Sequence, residues 1–474
     1  MFRLFLFLCN TNITQHDQTM KVHFIAIGGS VMHNLAIALH KKGYEVSGSD
    51  DQIFDPARSR LQNYNLLPPD NGWHPERIHK NLDGVILGMH AREDNPELKK
   101  ARKLKLKIWS FPEYLYEQTK NKKRVVIGGS HGKTTITSMV MHVLKQAGIR
   151  FDYMVGANIE GFETMVGLDA QSNLAIFEGD EYLSSPIDPR PKFHLYQPHI
   201  AVISGIAWDH INVFPTFEQY LEQFYHFTHK IAPGGTLIYF RPDYHAAEVA
   251  SKVRNDIQTI AYQQHAFSPS EEALLTSNHG KIPFRLFGAH NAANVQAALE
   301  VCKKLEIQEH TFYQAISSFK GAARRLEKLS ENEQTIVFQD FAHAPSKLQA
   351  TIEAVKSRYP TKKLIACMEL HTFSSLNKEF IHQYKHTMDK ADLPIVYFNP
   401  ETIRHKKLEM LTSKDILSAF DSPGLQVYQN SGQLQDDLIN LRTENSNVLL
   451  MTSGNFDGIN LPELATKIAH RPEK

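Results

Sequence analysis

Apolar and polar positions along the chain fall into repeated strand–turn–helix units. The run Val22-His23-Phe24-Ile25-Ala26-Ile27 reads as a strand, followed by Gly28-Gly29-Ser30 and a helical pattern to Lys42 that Gly43 stops. Tyr44 to Ser47 continues as a second strand ending near Asp50. A second block begins near Asn121. There Val125-Val126-Ile127 feeds a glycine-rich turn, and helical periodicity runs from Ile136 to Ala147 before Gly148. Leu174 to Phe177 and Ile200 to Ile203 are further buried-type strands. A helix after Asn294 places Val295, Ala298, Leu299, Cys302 and Leu305 on one face. A third block starts near Lys320, with a strand into Asp340 and others at 363–370, 393–398 and 447–452. This alternation predicts an α/β protein with mostly parallel sheets. The boundaries it suggests are 20–120, 121–320 and 321–474.

Composition narrows the class. At 474 residues, 42% hydrophobic and 22% charged, the chain has room for several domains and the balance of a globular protein. A net charge of +1 gives no electrostatic case for nucleic acid or an acidic membrane, so anion binding must be local. Cys9, Cys302 and Cys367 are far apart and suit a reducing, cytoplasmic compartment. No apolar stretch is long enough to span a bilayer, so no membrane insertion is expected. Met20-Lys21 stands directly before the first strand, and residues 1–19 read as a disordered extension.

The candidate chemistry lies at the strand ends. Gly129-Ser130-His131-Gly132-Lys133-Thr134-Thr135 closes a strand and opens a helix, which is how a chain builds a triphosphate cradle. Lys133 would reach the β/γ oxygens and the Thr134 hydroxyl would hold Mg²⁺. Ile127 stands where the eight-residue motif usually begins with glycine. In a parallel sheet, Glu178-Gly179-Asp180-Glu181 and Asp209-His210 would gather at the same edge and could complete a magnesium site. Asn291 could pair with a base edge or cap its helix. The Gly28 turn could bind phosphate, with Asp50 either on a ribose hydroxyl or simply ending a strand. Its G-x-G-x-x-G spacing fails at Ser30 and His33, which argues against a nicotinamide oxidoreductase.

These pieces, in this order, resemble the Mur ligase family, the ATP-dependent amide-forming enzymes of peptidoglycan synthesis. The motifs that carry the likeness are Gly28-Gly29-Ser30 with Met32, the Gly129–Thr135 loop, Glu178–Glu181, Asp209-His210, His290-Asn291 with Asn294, Arg324-Arg325-Leu326-Glu327 and Asp340-Phe341-Ala342-His343. The resemblance implies a Rossmann-like N-terminal domain, a central P-loop ATPase domain and a C-terminal Rossmann-like domain. It implies ATP and Mg²⁺ as cofactors. Gly129, Ser130, His131, Gly132, Lys133, Thr134 and Thr135 would cradle ATP, with Asn291 and Asn294 near adenine, Arg325 on the γ-phosphate and Asp340 on the ribose. Thr134, Glu178 and His210 would hold the metal, and Lys133, Glu178, His210 and Arg325 would carry catalysis. Gly28, Gly29, Ser30, Asp50 and the His90-to-Asn95 loop would hold UDP-N-acetylmuramate. His371, Ser374 and Asn455 would meet the acceptor. No lysine occurs between His210 and Lys230, so no carbamylated lysine is expected.

The insert Ile187 to His194 and the motif Ser453 to Gly458 look like the branch that attaches a recycled L-alanyl-γ-D-glutamyl-diaminopimelate peptide. The alternative within the family is the branch that adds L-alanine, and one outside it is a UDP-sugar sensor that makes no amide. Gly179, Leu183 and the His371-Thr372-Phe373-Ser374 stretch depart from the family pattern, the last lacking the arginine expected to grip a carboxylate. A monomer or weak homodimer is expected.

Overall fold

The computed structural model describes residues 19–268, 274–441 and 445–470. Of the expected N-terminal extension only its last residue falls within them, and Cys9 lies outside. Two compact units divide at Trp109/Ser110.

The first unit is built on a four-stranded sheet in the order Glu45–Ser49, Lys21–Ile25, Gly84–Leu87 and Ile108–Ser110. The Lys21–Ile25 strand pairs in parallel with both neighbours. The Ser30–Lys41 helix follows it directly, and eight of its residues from Met32 to Leu39 are buried against the sheet and its surroundings. This is the βαβ start that the apolar runs predict.

The second unit holds two larger sheets. The central one runs Gln258–Tyr262, Thr236–Phe240, Ile200–Ile203, Lys123–Gly128, Leu174–Glu178, Asp152–Met154, Val166–Gly167. Only its last pair is antiparallel. Lys123–Gly128 sits in mid-sheet, so its carboxyl end lies beside those of Ile200–Ile203 and Leu174–Glu178. That adjacency places the Gly129 loop, the Glu178 cluster and the segment leading to His210 along one edge. The helix Lys133–Gln146 carries Thr134, Thr135 and Thr137, poor helix formers that cost up to about 0.7 kcal/mol each. Ile136, Met139, Val140, Val143 and Leu144 are fully buried, worth about 1.5–3 kcal/mol each, so packing decides the conformation.

The third sheet is ordered Glu327–Glu331, Thr335–Asp340, Ser446–Met451, Lys363–Leu370, Leu393–Phe398, Gln426–Tyr428. Its first pair is antiparallel and the rest are parallel. Asp340 therefore also closes a parallel strand at a carboxyl edge. Cys302 and Cys367 are buried free thiols. Among the described residues no helix is long and apolar enough to cross a membrane.

Candidate active site

Two left-handed glycines shape the Gly129–Thr135 loop, the expected phosphate cradle. Gly129 has φ +117° and Gly132 +68°. A Cβ on Gly129 would lie 2.5 Å from Ser204 Oγ, and one on Gly132 2.1 Å from Asn294 Oδ1. Gly132 caps the Lys133–Gln146 helix without a side-chain bond, which leaves helix-end N–H groups to face an anion. Ser130 fastens the loop from beneath. Its Oγ lies 2.8 Å from the oxygen and nitrogen of Ala207 and from Tyr220 Oη. His131 is half-buried, and burial, with Lys347 and Lys133 nearby, pushes its pKa down to about 3. Thr135 is buried in the first helical turn.

Lys133 Nζ lies 2.6 Å from Glu181 Oε2, and the Glu181 side chain is wholly buried. Burial alone would favour the neutral amine; Glu181, Asp180 and Glu178 outweigh it and raise the lysine's pKa. Tyr220 donates to the other Glu181 oxygen at 2.9 Å, and His210 Nε2 stands 3.9 Å from that same oxygen. Thr134 Oγ1 donates to Glu178 Oε1 at 3.0 Å and accepts from Arg325 Nη2 at 3.0 Å. Arg325 thus reaches the phosphate loop from the segment that enters the third sheet, its guanidinium 4.7 Å over the Phe341 ring.

Asp340 shapes that segment. Its carboxylate accepts Leu326 N at 2.6 Å, Ala342 N at 2.7 Å and Thr351 Oγ1 at 3.3 Å. Burial raises its pKa while Arg325 opposes the rise. Asp340 therefore orders the turn that presents Arg325. Asn291 donates to Phe287 O at 2.9 Å and accepts from Asn294 at 3.3 Å, which sets Asn294 against Gly132. The helix cap is Gly288, which corrects the reading of Asn291 as a cap.

Thr134 Oγ1 and Glu178 Oε1 are neighbouring oxygens, a donor pair that suits Mg²⁺, a hard ion that takes few protein ligands. His210 lies against Glu181 and the Tyr182 ring, with ring centroids 5.1 Å apart. Among the described residues no group of three His, Cys, Asp or Glu side chains converges as a metal cage.

In the first unit Asp50 Oδ2 accepts Gly28 N at 2.7 Å, so the glycine turn and the delayed acid do meet. Gly29 caps the following helix, and exposed Ser30 opens it, its carbonyl taking Asn34 Nδ2 at 2.7 Å. Burial, and next the Asp51 side chain, push the Asp50 pKa up to about 7 against the pull of the Gly28 bond. Asn95 is buried, and its Oδ1 caps its own helix through Glu97 N and Leu98 N. His90 is exposed on the loop before it.

On the third sheet Ser374 Oγ accepts Ile211 N at 3.3 Å, which brings the expected acceptor loop to the residue after His210. His371 Nδ1 is 3.6 Å from Glu369 Oε1, and Gly454 approaches so closely that a Cβ would lie 2.9 Å from both residues. Asn455 is exposed beside them and accepts Gly458 N at 3.1 Å.

Comparison with known proteins decides the family. Residues 127–302 match the Mur ligase middle domain and residues 21–123 the Mur ligase family catalytic domain. A UDP-N-acetylmuramate–L-alanine ligase of Caldicellulosiruptor bescii is 30% identical over 394 residues, 79% of this chain and 83% of that protein. The chain belongs to the Mur ligase family. It is accordingly an ATP-dependent ligase that forms a C–N bond on peptidoglycan precursors. A second alanine ligase, from Ruthia magnifica, is 28% identical over 92% of this chain and 94% of its own length. The same Mur ligase fold appears in a murein peptide ligase of Psychrobacter arcticus, with TM-score 0.68, 21% identity and coverage of 96% of this chain and 100% of that one. It appears again in the Thermotoga maritima alanine ligase MurC, with TM-score 0.70, 18% identity and coverage of 95% and 98%.

Sequence reasoning placed Glu181 and Asp209 at strand ends that could complete a magnesium site and His343 in a motif of this Mur ligase, but gave none of them its partner and gave Lys347 no role. The Glu178–Glu181 run signals a carboxylate at the strand end, but not which one faces Lys133. Lys347 has no motif signal; a lysine in a first helical turn reads as surface.

Proposed function

We propose that this Mur ligase joins the lactyl carboxylate of UDP-N-acetylmuramate to the amine of a recycled L-alanyl-γ-D-glutamyl-diaminopimelate-type peptide. The carboxylate attacks the γ-phosphorus of ATP, forming an acyl phosphate and releasing ADP. The acceptor's neutral amine then adds to the acyl carbon, and the tetrahedral intermediate expels phosphate. Lys133 and Arg325 offset negative charge on the transferring phosphoryl group. Mg²⁺ held by Thr134 and Glu178, with His210 nearby, would supply further neutralisation. No nucleophilic side chain is required. The observation that carries the reading is Arg325 Nη2 at 3.0 Å from Thr134 Oγ1, a cation from the third sheet aimed at the loop that grips phosphate.

The peptide acceptor is supported by the segment between Glu181 and His210. Its Leu183–Ser185 and Asp188–Pro191 strands form a hairpin, and the Lys192 ammonium is fixed 2.6 Å from Asp180. The likeness of this insert to the peptide-attaching branch motivates the choice. L-alanine is the second reading, favoured by the alanine ligases of C. bescii and R. magnifica. ADP release and product mass with UDP-N-acetylmuramate, ATP and Mg²⁺ separate the two. Turnover with the tripeptide and none with L-alanine is expected. Turnover with L-alanine alone overturns the peptide reading, and slow ATP hydrolysis without amide would make the chain a sensor.

A further inference from the structure

Lys347 occupies an unfavourable place for a cation. It lies in the first turn of the Pro345–Arg358 helix, where the helix dipole is positive. That turn contains no acidic residue, and the helix N-cap, Ala344, makes no side-chain bond. Its ammonium faces the central sheet's edge, 3.4 Å from Asp209 Oδ2, and only 21% of its side chain is exposed. Lys133 and Arg325 are close enough to lower its pKa further after burial, while Asp209 and Glu181 hold it up.

The partner it has is a loose one. Asp209 is buried, and its Oδ1 already accepts His210 N at 2.8 Å. Its Oδ2 serves both Lys347 at 3.4 Å and His343 Nε2 at 3.6 Å. Charge-assisted N–H···O bonds usually close to about 2.7–2.9 Å. Lys133 does so with Glu181, at 2.6 Å. Burial would raise the Asp209 pKa, yet His210, Lys347 and His343 together hold it well below the ordinary carboxylate value. Asp209 is therefore an anion shared by several donors, none at close range to its Oδ2.

We propose that Lys347 is a further phosphate-binding cation of the active site, which exchanges Asp209 for an oxygen of the nucleotide's phosphate chain. Each of three cations then has a resting partner at the phosphate loop's rim: Lys133 on Glu181, Arg325 on Thr134 and Lys347 on Asp209. An incoming polyphosphate oxygen would compete with Asp209 for Lys347, whose 3.4 Å contact is the loosest of the three. Two of the three, Arg325 and Lys347, come from the third-sheet side. The inference rests on the phosphate-loop reading of Gly129–Thr135.

The test uses the full chain and four variants: Lys347→Gln, Lys347→Arg, Asp209→Asn and Lys133→Ala. Affinities for ADP and for β,γ-methylene-ATP are measured by titration calorimetry, alongside kcat and KM for ATP. Lys347→Gln is expected to weaken β,γ-methylene-ATP at least tenfold and to lower kcat by about 10²-fold, the usual effect of removing one preorganised charge donor. Lys347→Arg should retain most of both. Asp209→Asn should leave nucleotide affinity intact or improve it, because it removes the competing carboxylate. Unchanged nucleotide affinity in Lys347→Gln, with a melting temperature lowered equally in Lys347→Gln and Asp209→Asn, would make the pair a structural pin and overturn the proposal. If Lys133→Ala binds nucleotide like the unmodified chain, the phosphate-loop reading itself fails; if only Lys347→Gln does, this inference alone fails.

Discussion

The Gly28 turn and the Gly129 turn both follow a buried parallel strand and both open a helix through a glycine cap. They present different chemistry. At Gly129 the first helical residues are Lys133 and Thr134, with Glu178, Glu181 and Arg325 against them. At Gly28 the first helical turn holds no lysine, and the near carboxylate, Asp50, itself accepts a turn N–H. The left-handed residues differ too: Gly129 and Gly132 in one turn, Ala26 at the edge of the other. A strand–glycine–helix plan thus supplies only a cradle of N–H groups. Beside that cradle the Gly129 turn holds Lys133 on Glu181 and Arg325 on Thr134, cations of the kind that offset charge on a phosphoryl group. Under the proposed function the Gly28 turn would hold the UDP-sugar and the Gly129 turn would handle the phosphates.

The largest effect that would break this contrast is expected at Lys133. Lys133→Ala should lower turnover by about 10³-fold or more while far-UV circular dichroism keeps its native shape, with some loss of melting temperature because buried Glu181 is left without its ammonium. Near-normal turnover would remove the basis for separating the two turns. Arg325→Gln comes next. It should lower kcat by about 10²–10³-fold with a smaller change in KM for UDP-N-acetylmuramate, because its contacts lie at the phosphate loop. An equal loss confined to KM for the UDP-sugar would place Arg325 in the other site.

A glycine pair sharpens the comparison further. Gly132→Ala meets a left-handed φ and an Asn294 oxygen 2.1 Å from the new Cβ. Gly28→Ala meets Asp50 Oδ2 at 2.9 Å and Ile53 at 3.1 Å, with no left-handed backbone to oppose it. Gly132→Ala should therefore raise KM for ATP about tenfold or more, and Gly28→Ala should change KM for the UDP-sugar only a few-fold. Steady-state kinetics with each substrate varied in turn reads both. Equal effects would show that backbone conformation is not what distinguishes the turns.

What the sequence could reveal follows the same division. Strand ends, the glycine turn at Gly129 and the edge positions of Glu178 and Asp340 are readable because parallel strands gather their carboxyl ends at one edge. The helices after Gly29 and Gly132 were readable from apolar spacing and glycine. The particular pairings were not. Glu178 and Glu181 are equivalent by spacing, yet one meets Thr134 and the other Lys133. The family motif points Asp340 and Asn95 at ligands, and it does not disclose that their oxygens also accept backbone N–H groups nearby. Lys347 was invisible because its meaning comes from Asp209, a residue on another sheet.

The smallest expected effect concerns Asp50 and tests whether the Gly28 turn carries charge at all. Its carboxyl binds a proton in the folded chain up to about pH 7, against an ordinary value of 3.8, chiefly because it is buried. An acid whose pKa is higher when folded holds more protons in the native state, so stability falls as pH rises between the two values. Asp50→Asn keeps an oxygen for Gly28 N–H and cannot ionise. Amide-exchange protection of the Lys21–Ile25 strand, corrected for intrinsic rates, should therefore fall between about pH 4 and pH 7 in the unmodified chain and stay flatter in Asp50→Asn. Below about pH 4 the two should coincide, because the carboxyl is then protonated in folded and unfolded states alike. Parallel profiles across the whole range would mean that Asp50 is ionised in the fold like a surface acid. The Gly28 turn would then carry a fixed negative charge, and a UDP diphosphate would have to bind away from it.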